Sequence, residues 1–365
     1  MAKTEKKKSN KKRLLLLIVL LVVTILMLST ATYAWFISNK TVSVDSLEVQ
    51  ARTANGLEIS ADAVNWGVSI NKANLITNEW GDRRNQLPDI LDHVSTVGNM
   101  HVDGGQNYME LFDGNVEITC NGTVTNGVCN GTEVYSLTTT TASEAKCYDS
   151  NGNETVADEN KCNGKTFVAF DIFLKVTNDA NLQLGANAGV TFQDDDFGIQ
   201  NATRVAFVYR GHLSNDEYYT DNPDDGILAA RALNASKSDS DPAKVYIWEP
   251  NADTHTSAGA AAARQFYGIN GLVSGSQQSP VEYYGVNQAF DTAVNLTQTN
   301  SSAYVSKVTP DIITYKNHGA TDMHIQLKSG VTKFRVYFWV EGQDVDTENN
   351  ATGHDMKLDI ELSIS

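Results

Sequence analysis

Two sets of residues in this sequence have the type and spacing to do chemistry: four clustered cysteines and a turn of carboxylates. Cys120, Cys129, Cys147 and Cys162 lie close together in sequence, and an even, clustered count fits two disulfides wherever the compartment is oxidising. Three connectivities are open, and loop closure favours the sequential pairs Cys120–Cys129 and Cys147–Cys162. A zinc site would need a C-x-x-C or a nearby imidazole; the sequence has no C-x-x-C, and the nearest histidine, His101, lies outside the cluster. The carboxylates are Glu341, Asp344 and Asp346 in "EGQDVDTEN", with a second set, Asp194, Asp195 and Asp196, in "QDDDFG". Either could hold a hard cation such as Ca2+ through oxygen ligands, or be a solvated acidic turn. "DSNGNETVADEN" begins like an EF-hand loop at Asp149, Asn151 and Asn153. It then places Glu154 where the turn needs glycine and Asn160 where the bidentate glutamate belongs. Beyond a structural Ca2+, no cofactor is expected.

Catalytic motifs are missing from the sequence. It contains no G-x-S-x-G elbow, no H-E-x-x-H and no phosphate-binding G-x-x-x-x-G-K-[ST]. The histidines, His93, His101, His212, His255, His318, His324 and His354, are scattered rather than paired at metal spacing. The chain therefore reads as a protein that is not an enzyme. Its formal charge of −16 repels phosphate backbones, which argues against nucleic-acid partners.

The elements that position these residues begin with a change of sign. The first 34 residues hold Lys3, Lys6, Lys7, Lys8, Lys11, Lys12 and Arg13 against the single acid Glu5, so the rest of the chain is more acidic still. The basic end leads into "LLLLIVLLVVTILML" and then small residues, the order of a secretory signal. The uncharged run is also long enough to span a bilayer, so residues 1–34 are a signal peptide or a signal anchor. Two cuts fit the small-x-small rule, after Ala31 with Ser29 at −3 or after Ala34 with Thr32 at −3; the second, between Ala34 and Trp35, is favoured because it would put Trp35 and Phe36 at the new amino end, directly before a strand. The protein is expected outside the cell or on its surface, touching membrane only through this leader.

Beyond the leader, period-two alternation dominates. "TVSVDSLEVQA" carries Val42 and Val44, then Leu47, Val49 and Ala51, so its phase flips at Asp45–Ser46, the mark of a bulge or a change of sheet. "GLEISA", "KTFVAFDIFLKVTND", "RVAFVYR" and "KVYIWEP" read as strands, the second central and buried on both faces. "DMHIQLKS", "TKFRVYFWVEG" and "DMKLDIELSIS" are three more, the last a half-buried antiparallel strand with Met356, Leu358, Ile360, Leu362 and Ile364 on one face. Short helices are expected at 88–95, at 224–236 with Asp224 as cap, and at 258–268. The expected fold is mainly β: one jelly-roll-like antiparallel β-sandwich over 35–365, with short helices and a disulfide-stapled insertion at 112–164.

With those residues laid out, the chain resembles exported Gram-positive surface proteins of the TasA/camelysin type. The resemblance rests on the Lys-rich leader, on "TYAWF" followed by "SNKTVSVDSLEV", and on the closing β-rich segment. "VYIWEPNADTH" and "VYFWVEGQDVDTEN" add looser similarity, and residues 60–165 add none. The resemblance implies a jelly-roll subunit, cut by a signal peptidase, that builds biofilm-matrix filaments by donor-strand exchange. Carried onto this chain, the donor strand runs from Trp35 to Val49: Val42, Val44, Leu47 and Val49 would fill a groove, and Trp35 and Phe36 would anchor the leading end. Its partners would be further copies of itself and components of the envelope or matrix. The competing reading keeps this segment as the first strand of its own sandwich, in a membrane-anchored monomeric adhesin or wall-contact protein, with Trp35 and Phe36 at the membrane interface. The family name also brings metalloprotease activity, for which the sequence lacks H-E-x-x-H. Intact-mass measurement of the exported protein is expected to give a chain starting at Trp35, lighter than its reduced form by the hydrogens of two disulfides. A mass that retains residues 14–34 would mark the anchored form.

Overall fold

β-Branched and aromatic residues at alternate positions favour a pleated, half-buried backbone, and they set most of the architecture. The computed structural model describes residues 41–51, 56–76, 85, 87–92, 94–96, 111–125, 128–142, 146–148, 154–156, 167–192, 199–233, 245–250, 272–273, 276–277, 284–286, 290–295, 305–307, 312–316, 323–341 and 355–365. The first strands are β1 (Thr41–Ala51), β2 (Glu58–Ser60), β3 (Ser69–Asn71), β4 (Ile90–Asp92), β5 (Val94–Thr96), β6 (Leu111–Thr125), β7 (Val128–Ala142), β8 (Lys146–Tyr148) and β9 (Glu154–Val156). Next come β10 (Val168–Val176), β11 (Ala180–Leu184), β12 (Gly189–Phe192), β13 (Thr203–Leu213), β14 (Val245–Glu249), β15 (Leu272–Val273), β16 (Ser276–Gln277) and β17 (Tyr284–Val286). The last are β18 (Phe290–Asn295), β19 (Val305–Lys307), β20 (Ile312–Lys316), β21 (Ile325–Leu327), β22 (Gly330–Val340) and β23 (Asp355–Ile364). The described helices are α1 (Lys72–Ile76), α2 (Asn215–Tyr218) and α3 (Pro223–Ala232).

The protein is mainly β, and two mixed sheets share one core. The first runs β21-β11-β23-β1-β3, with β12 also on β23 and β4 also on β1; the second runs β2-β10-β22-β13-β14-β20. Val44, Leu47, Val49, Leu358, Ile360 and Leu362 of the first sheet meet Phe170, Ile172, Phe207, Trp248, Phe334 and Phe338 of the second in a single buried cluster. Each such side chain removed from water contributes about 1.5–3 kcal/mol. The phase flip in β1 is a bulge: Val44 faces Met356 and Ser46 faces Lys357, so Asp45 has no partner on β23. A second bulge, in β13, falls between Tyr209 and Gly211, where the glycine takes φ +126.

Three expectations are corrected. β23 pairs antiparallel with β11 and β12 but parallel with β1, so it is not purely antiparallel. Residues 90–92 and 94–96 are strands rather than a helix; Ile90, Leu91 and Asp92 pair with β1, whose open backbone edge outweighs the local helical reading. The helix expected at 224–236 is Pro223–Ala232, with Asn222 as N-cap and Pro223 at the first position, where a missing N–H costs nothing. The helix expected at 258–268 lies outside the described residues. Within the insertion, β6 and β7 form a long hairpin in a separate sheet ordered β18-β7-β6-β5.

The outer face of the second sheet is buried and charged. Asp171 on β10 accepts from Arg335 (3.2 Å) and pairs with Lys333 (3.1 Å), both on β22, and all three side chains are buried. Burial pulls the Arg335 guanidinium down, but Tyr337 and Asp171 outweigh it and hold it above its ordinary value. Lys333 Nζ also donates to the Arg231 carbonyl near the end of α3 (2.8 Å), where a cation complements the helix dipole. Arg231 Nε in turn donates to the Asp62 carbonyl (2.9 Å). Asp62 organises the turn after β2: its Oδ1 accepts from the Ser60 hydroxyl and the Val64 and Asn65 amides, and its Oδ2 accepts from the Asn65 side chain. That turn carries Ala63 in the left-handed region at φ 56, packed against Phe173, Tyr218, Ala230 and Val331.

Two outcomes follow from this network. Asp171→Ala leaves two buried cations without their carboxylate and is expected to cost about 3–5 kcal/mol in urea unfolding. Partial burial raises the Asp62 carboxyl, but the Asn65 and Val64 amides and the Asn65 and Ser60 side chains outweigh it, so it titrates below its ordinary range. Its stabilisation is therefore complete above the unfolded value of about pH 4 and is lost as the pH falls through the lower folded value. Asp62→Asn is expected to be less stable than wild type by about 1 kcal/mol or less at neutral pH, the side chain being solvent-screened. That deficit should shrink in acid melts.

Candidate functional site

The residues singled out in "TVSVDSLEVQA" build the most completely described site, the seat of β1. On one side β1 runs parallel to β23 in a continuous register from Ser43–Asp355 to Ala51–Leu362, broken only by the bulge. On the other side it meets two short strands. β4 takes Thr41, Val42 and Ser43, and β3 takes Glu48, Val49 and Gln50. Val44, Leu47, Val49 and Ala51 are buried in the shared core beside Ile70 of β3 and Leu91 of β4. The backbone places Val42 opposite Leu91, and its side chain lies outside the described residues.

Between β3 and β4 the wall is closed by one backbone bond and by side chains. Lys72, the first residue of α1, follows β3 directly, and Asp89 directly precedes β4. Val44 N–H donates to the Asp89 carbonyl at 2.9 Å, and Lys72 Nζ donates to the Val44 carbonyl at 3.2 Å. Lys72 Nζ also pairs with Asp89 Oδ1 at 2.7 Å. Asn71 and Asn74 fix the position of Lys72 by a reciprocal exchange: the Asn71 amide donates to Asn74 Oδ1 and the Asn74 amide to Asn71 Oδ1. Behind α1, Asn85 Nδ2 donates to the Leu75 carbonyl while its Oδ1 accepts from the Asp171 amide, which ties this wall to the second sheet. Sequence reading missed Lys72, Asp89 and Asn85, because polar residues outside the strands carry no periodic signal.

The other candidates are placed less fully. Ala34, Trp35 and Phe36 lie outside the described residues, and no described helix is long and apolar enough to cross a membrane. The hairpin register sets Cys120 opposite Glu133 and Cys129 opposite Val124, and Cys147 faces Thr155. The side chains of those three cysteines and the whole of Cys162 lie outside the described residues. Glu341 is buried and its Oε2 accepts from the Trp339 indole at 3.1 Å; Asp344 and Asp346, with Asp194–Asp196, lie outside the described residues. Among the described residues no group of three or more potential ligands is gathered around a metal position.

β1 is thus an integral strand of the first sheet, its backbone paired on one edge with β23 and on the other with β3 and β4, and its inward side chains in the shared core. No protein-family model, curated protein or solved structure significantly matches the chain.

Proposed function

We propose that this protein is an exported structural subunit of an extracellular filament or biofilm matrix, and that it assembles by passing β1 to the groove of another copy. One observation carries the reading. β1 is a complete core strand held between one long parallel partner and two three-residue strands, so its withdrawal would open a channel lined by Ile70, Leu91, Leu358 and Ile360. An open channel of this kind exposes unpaired backbone and apolar side chains, a template that a neighbour's identical strand satisfies. A head-to-tail exchange of that kind does not close on itself and grows into a fibre. Two sheets over one core are also what a jelly-roll subunit requires.

The membrane-anchored adhesin remains the second reading, favoured by the pairing of β1 within its own chain. Neither reading calls for catalysis, and Ca2+ at the Glu341 turn would serve structure alone.

A disulfide trap separates the two. Glu48 and Asp359 are direct partners across the parallel seam. Such neighbours are close enough for a disulfide between substituted cysteines. Glu48→Cys combined with Asp359→Cys, oxidised after assembly and run without reductant, is expected to give a ladder of covalent multimers that wild type lacks. A monomeric band carrying the new bond, with no fibres by electron microscopy at any concentration, would establish the anchored monomer.

A further inference from the structure

The register of the β6–β7 hairpin decides what its cysteines can bond. The two strands, each 15 residues long, pair without a bulge from Leu111–Ala142 to Thr125–Val128. Cys120 stands opposite Glu133, while Cys129 stands opposite Val124, four residues further along β6. Even at a short strand rise of about 3.2 Å per residue, four residues hold the two cysteine Cα atoms about 13 Å apart. A disulfide needs them within about 7 Å. Loop closure favours Cys120–Cys129, but the paired strands exclude it.

Cys147 reaches neither hairpin cysteine. It follows Ala142, at the open end of the hairpin, by five residues. Its Cα is therefore at most about 19 Å from that of Ala142. Its bonding partner would have to lie within about 26 Å of Ala142. Leu111 shares the rung of Ala142, and Cys120 is nine residues along β6 from Leu111, about 29 Å away. Cys129 is thirteen residues back along β7 from Ala142, about 42 Å away. Only Cys162, on a longer tether, can reach any of the other three, so the chain closes one intrachain disulfide at most. The shortest loop available to Cys162 is the fifteen-residue one back to Cys147, which costs the least entropy to close.

We propose that Cys147–Cys162 is the one intrachain disulfide of this cluster, and that Cys120 and Cys129 are a pair of thiols that take up low-molecular-weight disulfides. This replaces the two intrachain bonds expected from the cysteine count, and it stands apart from strand exchange, since it uses only the hairpin register and tether lengths. Thr123, between the two cysteine rungs, is exposed, so solvent reaches this part of the hairpin. At each hairpin cysteine the thiolate attacks one sulfur of the small disulfide. A new S–S bond forms, the old one breaks, and the departing half leaves as a thiolate that takes up the proton. The Cys147–Cys162 bond forms by the same exchange carried out twice, one small disulfide being reduced to two thiols.

The test uses the full exported chain, purified without reductant, unfolded in guanidinium chloride with iodoacetamide, and digested for mass spectrometry. Alkylation in denaturant counts thiols whatever their burial. Two alkyl groups per chain are expected, at Cys120 and Cys129, together with a cross-linked peptide joining Cys147 to Cys162. Incubating the native chain with oxidised glutathione beforehand should replace both alkyl groups by glutathionyl groups. The combined variant Cys120→Ser and Cys129→Ser should take neither group and keep the Cys147–Cys162 peptide. A peptide joining Cys120 to Cys129, a chain with no cysteine left to alkylate or cap, or Cys162 bonded to a hairpin cysteine overturns the assigned connectivity. Alkylation at Cys120 and Cys129 undiminished by glutathione, or copies joined through them, overturns the modification site while leaving the connectivity in place.

Discussion

The parallel seam between β1 and β23 is the constraint on which the rest of the first sheet depends. Parallel neighbours cannot be joined by a tight turn, and here every other described strand of both sheets lies between them in sequence. The sheet is consequently complete only after β11, β12 and β23 are in place, because among the described residues β1 pairs with no other strand of comparable length. Pairing at such separation is paid for late in folding, when loop-closure entropy has already been spent. Until then the channel beside β23 stands open. On the strand-exchange proposal, the topology that makes a self-contained sheet slow to close would also give a neighbour's strand time to enter.

The two sheets are also coupled through polar contacts, not only through shared burial. Asn85 accepts from the Asp171 amide on β10 and donates to the end of α1, whose first residue, Lys72, touches β1. Asp171 itself holds Lys333, Lys333 holds the end of α3, and Arg231 of α3 holds the Asp62 turn. Each link satisfies a group that would be costly to bury alone. Lys72, and with it β1, is thereby connected through α1 and Asn85 to the second sheet.

How much of this was legible in the sequence depends on whether a feature is local. β10, β13, β22 and β23 were legible because apolar residues recur at alternate positions toward the shared core, although β10 and β22 are buried on the other face as well, and the phase flip at Asp45–Ser46 located a real bulge. Two local signals went unread. Ser214 with Glu217 forms a capping box at α2, and the sequence Asn-Gly stands between the paired strands β6 and β7, a dipeptide typical of hairpins. Residues 88–95 misled because Asp92 and His93 interrupt an apolar run that alone fits either period; the edge of β1 decides in favour of strand. Lys72, Asp89 and the Asp171–Lys333–Arg335 cluster were illegible in principle. Their partners are distant in sequence, and no spacing rule marks a charge that the tertiary fold will bury.

That division bears on function. The apolar face of β1 is a generic property that any alternating strand of the chain shares, so burial alone would let one strand of a subunit replace another. β22 and β23 carry larger apolar residues than β1, and on hydrophobicity they would compete for the same channel. A subunit that exchanges strands therefore needs a feature that burial does not supply, and the surplus residue at Asp45 is one that neither β22 nor β23 displays in its pairing. β13 does carry a bulge, but it lies at the end of the strand where Gly211 takes φ +126, a backbone geometry that the residues of β1 around Asp45 do not share. On the strand-exchange proposal, the irregular position is what sets β1 apart from β22 and β23, while its regular positions supply the burial.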